Sequence, residues 1–375
     1  MKITNTDIWT VVVPTLVERV QSPEFGPSGW DMVPKHIIRV HTDEGLFGLG
    51  ETGRGVPLEG VQRLVAQIEG RDPRKMIPQQ LPETLGKVDE EYPHAHYSRW
   101  WEGAAGGPSA PGYGAIEMAI LDLLGKYYDQ PAHWFLGGAV RDRVPADYWI
   151  SIQTPEDAAR NTQLAVERGF KGMKLKCTAD ECLIERCEAI WDVAGPDFAL
   201  TIDPNTRFWR LNEALDMAHE LAARGKVKVF EDPMAKWNLD WYHMFRLQNI
   251  VPVALHLGNP NDIISAIKAE AVDYLNLGGG MVQFVRNAAI AHAADIPCWH
   301  GSGVDLGIME LSYLHTASAA RNCILGSDFV GSWTREDDLI VEGIQFEDGD
   351  AIVPDKPGLG CELDMDALEK YRIDK

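Results

Sequence analysis

Gly172-Met173-Lys174-Leu175-Lys176-Cys177 is the stretch on which the reading of this chain turns. Residues i and i+2 of a β-strand point to the same side of a sheet. As a strand, the segment therefore presents Lys174 and Lys176 on one face and Leu175 on the other. Two ammonium groups that close disfavour each other's protonation, and burial pushes the same way. A lysine so depressed can serve as a general base near neutral pH. Alone, such a pair is an ordinary solvated strand end; its neighbours along the chain change that.

Outward from this stretch, apolar strand-like runs alternate with amphipathic helical segments from about residue 145. The strands are expected at 147–153, 171–177, 198–203, 227–231, 251–256, 272–277, 296–300 and 323–327, with helices among them at 155–168, 180–194, 211–224, 260–270, 283–294 and 306–320. Such alternation predicts a parallel sheet closed as a TIM-like barrel. An open doubly wound sheet more often carries a glycine fingerprint after its first strand, and none stands at 151–156.

In a barrel, functional groups come from the C-terminal strand ends. The second strand ends in Lys174 and Lys176, the third in Asp203-Pro204-Asn205, the fourth in Glu231-Asp232-Pro233, the fifth in His256 and the seventh in Trp299-His300, while Asp328 follows the eighth. The sixth begins with Asp273. Polar residues in this register on so many strands converge on one pocket. Asp203 and Glu231 are oxygen ligands suited to a hard divalent cation such as Mg²⁺. A metal beside paired lysines suits removal of a proton alpha to a carboxylate, because the enolate that forms is highly charged. Asn205 joins the pocket as a substrate contact if the strand persists two residues past Asp203.

Before the barrel, Ile37–His41 and Leu46–Glu51 read as a hairpin around Thr42-Asp43-Glu44-Gly45. Gly48-Leu49-Gly50-Glu51-Thr52-Gly53 matches G-x-G-x-x-G, but it follows a hairpin and opens no helix, so it does not read as a dinucleotide site. Residues 14–35 and 89–113 are long irregular segments expected to cover the barrel mouth, where Trp30, His94, Arg99, Trp100 and Trp101 suit a polar anion. His94-x-His96 is read as a loop rather than a metal site. Gly114–Lys126 is a largely apolar helix leading into the barrel.

The chain has 375 residues, with 35 basic against 56 acidic side chains and a formal net charge of −21. That balance argues against a nucleic-acid or anionic-membrane binder. None of the six cysteines forms C-x-x-C, and they do not read as a disulfide framework. No apolar run is long enough to span a membrane, and MKITNTDIWT has no signal-peptide character. The expectation is a cytoplasmic protein.

With these residues in place, the chain resembles the enolase superfamily, specifically its mandelate racemase-like subgroup. The likeness rests on GLFGLGE, GAIEMAILDLLGK, the K-x-K pair, IDPN, FEDP and the late His, in that order. It implies an α/β architecture: a (β/α)7β barrel at 126–340, capped by an α+β domain from residues 1–125 and the returning segment 341–375. It implies Lys176 as base on one face of the substrate and Lys174 as partner of its carboxylate. Asp203 and Glu231 would be metal ligands, and His300, oriented by Asp273, the acid/base on the opposite face. The third ligand of that subgroup is a carboxylate on the fifth strand, where this chain has His256. An imidazole there weakens Mg²⁺ or shifts preference toward Mn²⁺ and other divalent ions. Asp328 is the candidate for an electrophilic acid after the eighth strand. The resemblance further implies a small-molecule carboxylate substrate and a homo-oligomer. Its leading reaction is dehydration of a sugar acid to a 2-keto-3-deoxy acid. A racemase or epimerase on the same site is the alternative, and a binding or regulatory relative with impaired chemistry is a third reading.

Overall fold

The fold is drawn from a computed structural model that describes residues 1–26, 32–76, 112–179 and 181–374. The expected mouth residues Trp30, His94, His96, Arg99, Trp100 and Trp101 lie outside the described residues. The chain opens with an antiparallel sheet, β1 (Ile3–Val11), β2 (Lys35–Thr42) and β3 (Phe47–Glu51), paired in that order. The helix Tyr113–Tyr128 packs across it and is buried on nearly every side. Gly48 and Gly50 explain how closely. A Cβ on either would sit 2.0 Å from a helix carbonyl, of Ala119 and Ala115 respectively. The G-x-G pattern thus serves strand-to-helix contact rather than a phosphate.

β4 (Arg143–Pro145) then pairs with a short hairpin, β12 (Phe346–Glu347) and β13 (Asp350–Ile352). The barrel follows: β5 (Tyr148–Ile150), β6 (Gly172–Lys176), β7 (Ala199–Asp203), β8 (Val227–Glu231), β9 (Val253–Leu257), β10 (Tyr274–Leu277) and β11 (Cys298–His300). They form one parallel sheet in sequential order from β5 to β11. The eighth position, expected as a strand at 323–327, is held only by isolated parallel bridges, Cys298 with Cys323 and Ala146 with Ser327. Those two bridges run from β11 through 323–327 to Ala146, just before β5, and close the ring.

The helices between strands start where their caps dictate. Thr154 accepts the N–H of Asp157 at the start of Pro155–Glu167, and Asn259 accepts that of Asn261 at the start of Pro260–Lys268. Each has Pro in its first turn, the placement proline tolerates best. The helix Leu239–Leu247 fills the interval between β8 and β9.

Alternation along each strand sorts the barrel into two faces. Met173, Leu175, Leu200, Ile202, Phe230 and Leu255 face the surrounding helices in the main core. Val229, Ala254 and Trp299, with Tyr274 and Leu325 against them, fill the inside as a separate apolar plug. Above that plug, toward the C-terminal strand ends, the inner face turns polar.

The last residues run back to the first sheet. The helix Met365–Tyr371 is followed by a bridge from Arg372 to Val11, and Ile373 donates its N–H to the Thr10 carbonyl at 2.9 Å. Among the described residues no helix is long and apolar enough to cross a membrane.

Candidate active site

Register decides which side chains meet. Lys176 lies beside Asp203 across β6–β7, and Glu231 beside Ala254 across β8–β9. Asn276 lies beside His256 on one side and beside Trp299 on the other. In-register neighbours on parallel strands share a face. Lys174, Lys176, Asp203, Glu231, His256 and Asn276 therefore look inward together, with Trp299 below them.

The lysines stand among carboxylates. Lys176 Nζ is 2.5 Å from Asp203 Oδ2. Lys174 Nζ is 2.7 Å from Glu231, 2.8 Å from Asp328 and 3.2 Å from Asp203. Burial opposes the charge on Lys174, but Asp328, Glu231 and Asp203 outweigh it and hold the ammonium well above its usual range. The expectation that the pair would depress both lysines is thus corrected for Lys174, because three carboxylates around it outweigh the neighbouring ammonium. Burial likewise opposes ionisation of Asp203, yet Lys176 and Lys174 hold its carboxyl well below the usual range. Glu231 goes the other way: burial and then the Asp203 charge push it up to about 8. Four buried carboxylates, Asp203, Glu231, Asp232 and Asp328, face the ammonium groups of Lys174, Lys176 and Lys236. The arrangement is short of positive charge, and the donor set suits a divalent cation. Ligand atoms of Glu231, Asp232 and His256 lie within 4.8 Å of one another, and His256 Nδ1 is 3.7 Å from Glu231 Oε1.

Burial and the Lys236, Lys174 and Lys176 charges hold His256 well below the usual imidazole range, so it is neutral.

Two expected members do not join this group. His300 pairs in register with Leu277, on the outer face. Its ring is stacked between Phe284 and Tyr313, on two of the surrounding helices, at centroid distances of 4.2 and 4.1 Å. Nδ1 contacts the Gly301 carbonyl at 2.7 Å, and burial lowers the pKa to about 4. The expectation of an acid/base on the far side of the substrate is corrected: a one-residue difference in strand phase turns a side chain to the opposite face. Asp273 is corrected with it. It precedes β10 at the N-terminal end of the barrel, accepting from Arg246 Nε at 2.7 Å and from the Val253 N–H at 2.9 Å. That is four residues, about 13 Å, from the level of His300, so it does not orient that ring.

Asn205 is corrected as well. β7 ends at Asp203, Asn205 has φ 46° and an exposed side chain, and it contributes its backbone N–H to Asp203 Oδ1 at 3.1 Å. Strand alternation does not reach it.

Three residues beside the site escaped the sequence reading. Asn276 donates to Glu231 Oε1 at 2.7 Å. The strand-end rule, applied to the end of the sixth strand instead of its start, finds it. Asp232 is buried and accepts the His256 N–H at 2.9 Å. Lys236 lies 2.5 Å from Asp232 Oδ2. Asp232 has φ 45°, a turn that periodicity does not reveal.

A capped barrel with lysines, carboxylates and an imidazole gathered at its strand ends is an enzyme-like architecture of the enolase type. A family model described as "Enolase C-terminal domain-like" matches residues 157–367, more than half of the chain. The chain belongs to the enolase superfamily, among its mandelate racemase and muconate-lactonizing relatives. It is 27 % identical to an L-Ala-D/L-Glu epimerase of Clostridium acetobutylicum, over 87 % of this chain and 90 % of that one. It is 24 % identical to an N-succinyl-L-Arg/Lys racemase of Bacillus cereus, over 100 % and 98 %, and 26 % identical to an arabinonate dehydratase of Saccharolobus solfataricus, over 90 % and 91 %. The crystal structure of a muconate cycloisomerase from Pseudomonas fluorescens superposes with a TM-score of 0.80 at 22 % identity, covering 100 % of this chain and 99 % of that one, and supports the fold.

Proposed function

We propose that the chain removes the proton alpha to a carboxylate with Lys176 as the base, and that the reaction is dehydration of a sugar acid to a 2-keto-3-deoxy acid. The observation that carries the choice is the outward position of His300, which leaves the lysine pair as the acid/base equipment of one face. Lys176 is the more open of the two, at 14 % side-chain exposure against 3 % for Lys174. Its Nζ accepts the α-proton. Lys174, held charged, stabilises the developing enolate. The β C–O bond then breaks with its electron pair on oxygen, which takes the proton back from Lys176 and leaves as water. The enol that remains ketonises, and the base is regenerated.

Asp203, Glu231 and His256 would hold a divalent cation, with Asp232 beside them and paired to Lys236. When bound, that ion supplies positive charge to the enolate oxygens. Mg²⁺ is the ion the family resemblance implies, and an imidazole in place of one hard oxygen donor shifts the preference of this set toward Mn²⁺.

A second reading has its own support. His256 is neutral and lies on the inner face three strands from Lys176. As a second base it would give racemisation or epimerisation, the activity that two relatives are named for. The test is a panel of aldonic and aldaric acids with divalent ion, followed for keto-acid product and, in D₂O, for α-exchange. Keto acid without inversion supports dehydration. Inversion with exchange and no keto acid overturns it in favour of the second reading. Neither, on any acid, points to a binding or regulatory relative.

A further inference from the structure

The loop after β8 brings in a cation that the roles above leave unused. Lys236 Nζ lies 2.5 Å from Asp232 Oδ2 and donates to the His256 backbone carbonyl at 2.9 Å. Asp232 Oδ1 meanwhile accepts the His256 N–H at 2.9 Å. One ammonium thus bridges two of the three residues whose ligand atoms converge. We propose that Lys236 is a positioning residue that keeps Asp232 out of the metal's ligand set and thereby sets the affinity and selectivity of the site; this rests on the metal-dependent reading above.

The physical case is one of charge and ligand count. Affinity of a hard-cation site rises with the number of carboxylate charges that reach the ion. The His256 side chain supplies no negative charge, and Lys236 neutralises Asp232, the nearest carboxylate that could make up the difference. What remains for the ion is Asp203, Glu231 and an imidazole, a mixed oxygen and nitrogen set that favours Mn²⁺ over Mg²⁺. The two hydrogen bonds to the His256 backbone fix where its ring emerges, so the imidazole stays beside Glu231. Removing the ammonium should free Asp232 Oδ2 for the ion, adding a hard oxygen donor and one negative charge.

The experiment is calorimetric titration of the whole protein with Mg²⁺ alone and with Mn²⁺ alone, on the native chain, Lys236→Met, Lys236→Arg, and Lys236→Met combined with Asp232→Asn. The expected result is that Lys236→Met binds Mg²⁺ about tenfold tighter or more, and that the preference for Mn²⁺ over Mg²⁺ narrows. Lys236→Arg should behave as the native chain, since it keeps the charge. The added Asp232→Asn should erase the gain. A loss of folding alone would not tighten binding or change the ratio of the two ions. Unchanged or weaker Mg²⁺ binding in Lys236→Met, with the native chain binding normally, overturns the proposal and leaves the metal-dependent reading standing. Binding by Lys236→Met where the native chain binds neither ion supports the proposal in its strongest form and overturns metal dependence of the native enzyme. Binding of neither ion by any variant overturns both.

Discussion

Two buried lysines in this molecule sit between carboxylates, and they do different work. Lys35, on β2, contacts Glu51 and lies 2.6 Å from Asp305. The carboxylates around it are fully engaged: Glu51 accepts the N–H groups of Leu306 and Met309 at the start of the helix Gly307–Ala319, and Asp305 accepts Tyr313 OH at 2.7 Å and the Gly303 N–H at 2.7 Å. Burial opposes the Asp305 charge, but Lys35 and these donors hold its pKa at about 2. At Lys174 the carboxylates have fewer neutral donors. Asp203 takes one backbone N–H and Glu231 one amide, and Glu231 rises to about 8. A clasp uses up its lone pairs inside the fold; a site keeps some back for what it binds.

The sharpest way to break this contrast is to remove a lysine from each cluster. Lys176→Ala should lower turnover on a confirmed substrate by about 10²–10⁴-fold, the range for a general base, while the denaturation curve moves little. Lys35→Met should do the reverse. Deleting one partner of a buried ion pair costs about 3–5 kcal/mol, and here it also loosens the contact of β2 and β3 with the barrel. Denaturant unfolding followed beside kcat tests both. If Lys35→Met abolishes turnover at full stability, the two clusters are not of different kinds.

Much of this was legible in the sequence and some was not, for reasons that particular residues show. Seven barrel strands stand within a few residues of where apolar runs place them, because strand and helix periods differ strongly. The eighth was overread, since 323–327 contributes only two bridges. Lys174, Lys176, Asp203 and Glu231 were legible because strand-end position and parity agree. His300 was misread because sequence reveals that a strand ends near Trp299-His300 without fixing which of the two faces inward. Asp273 was misread because the polar residue chosen stood at the wrong end of its strand, with Asn276 at the right one. Asp232 and Lys236 depend on a turn of positive φ, which no pattern of apolar residues encodes.

His300 carries a smaller effect, one that separates inner from outer face. In the folded chain its pKa is about 4, against 6.5 for an unperturbed histidine. Between those values the unfolded chain binds the extra proton, so stability rises with pH. The contribution is fully present above pH 6.5 and is lost as pH falls through 4, up to about 3 kcal/mol in all. His300→Gln should flatten the stability-against-pH curve in that window relative to the native chain. His315, lowered to about 3 by burial, titrates over an overlapping range in both proteins and cancels in the difference. Turnover should stay within a few-fold. A loss of turnover approaching that of Lys176→Ala would return His300 to the chemistry.

The least effect is expected at Asp273. Its carboxylate is partly exposed, as is its Arg246 partner, at 27 % and 39 %. Ion pairs of that exposure contribute about 1 kcal/mol or less. Asp273→Asn keeps an oxygen for the Val253 N–H and removes only the charge, so stability should fall by no more than about 1 kcal/mol and kcat should not change. A residue that oriented an acid/base histidine would behave otherwise. Its amide variant would change the tautomer or basicity of that ring and shift the pH profile of kcat/KM. The pH profile of Asp273→Asn is therefore the discriminating measurement, because a bottom-of-barrel ion pair at the start of β10 has no path to the proton-transfer groups at the opposite end of the strands.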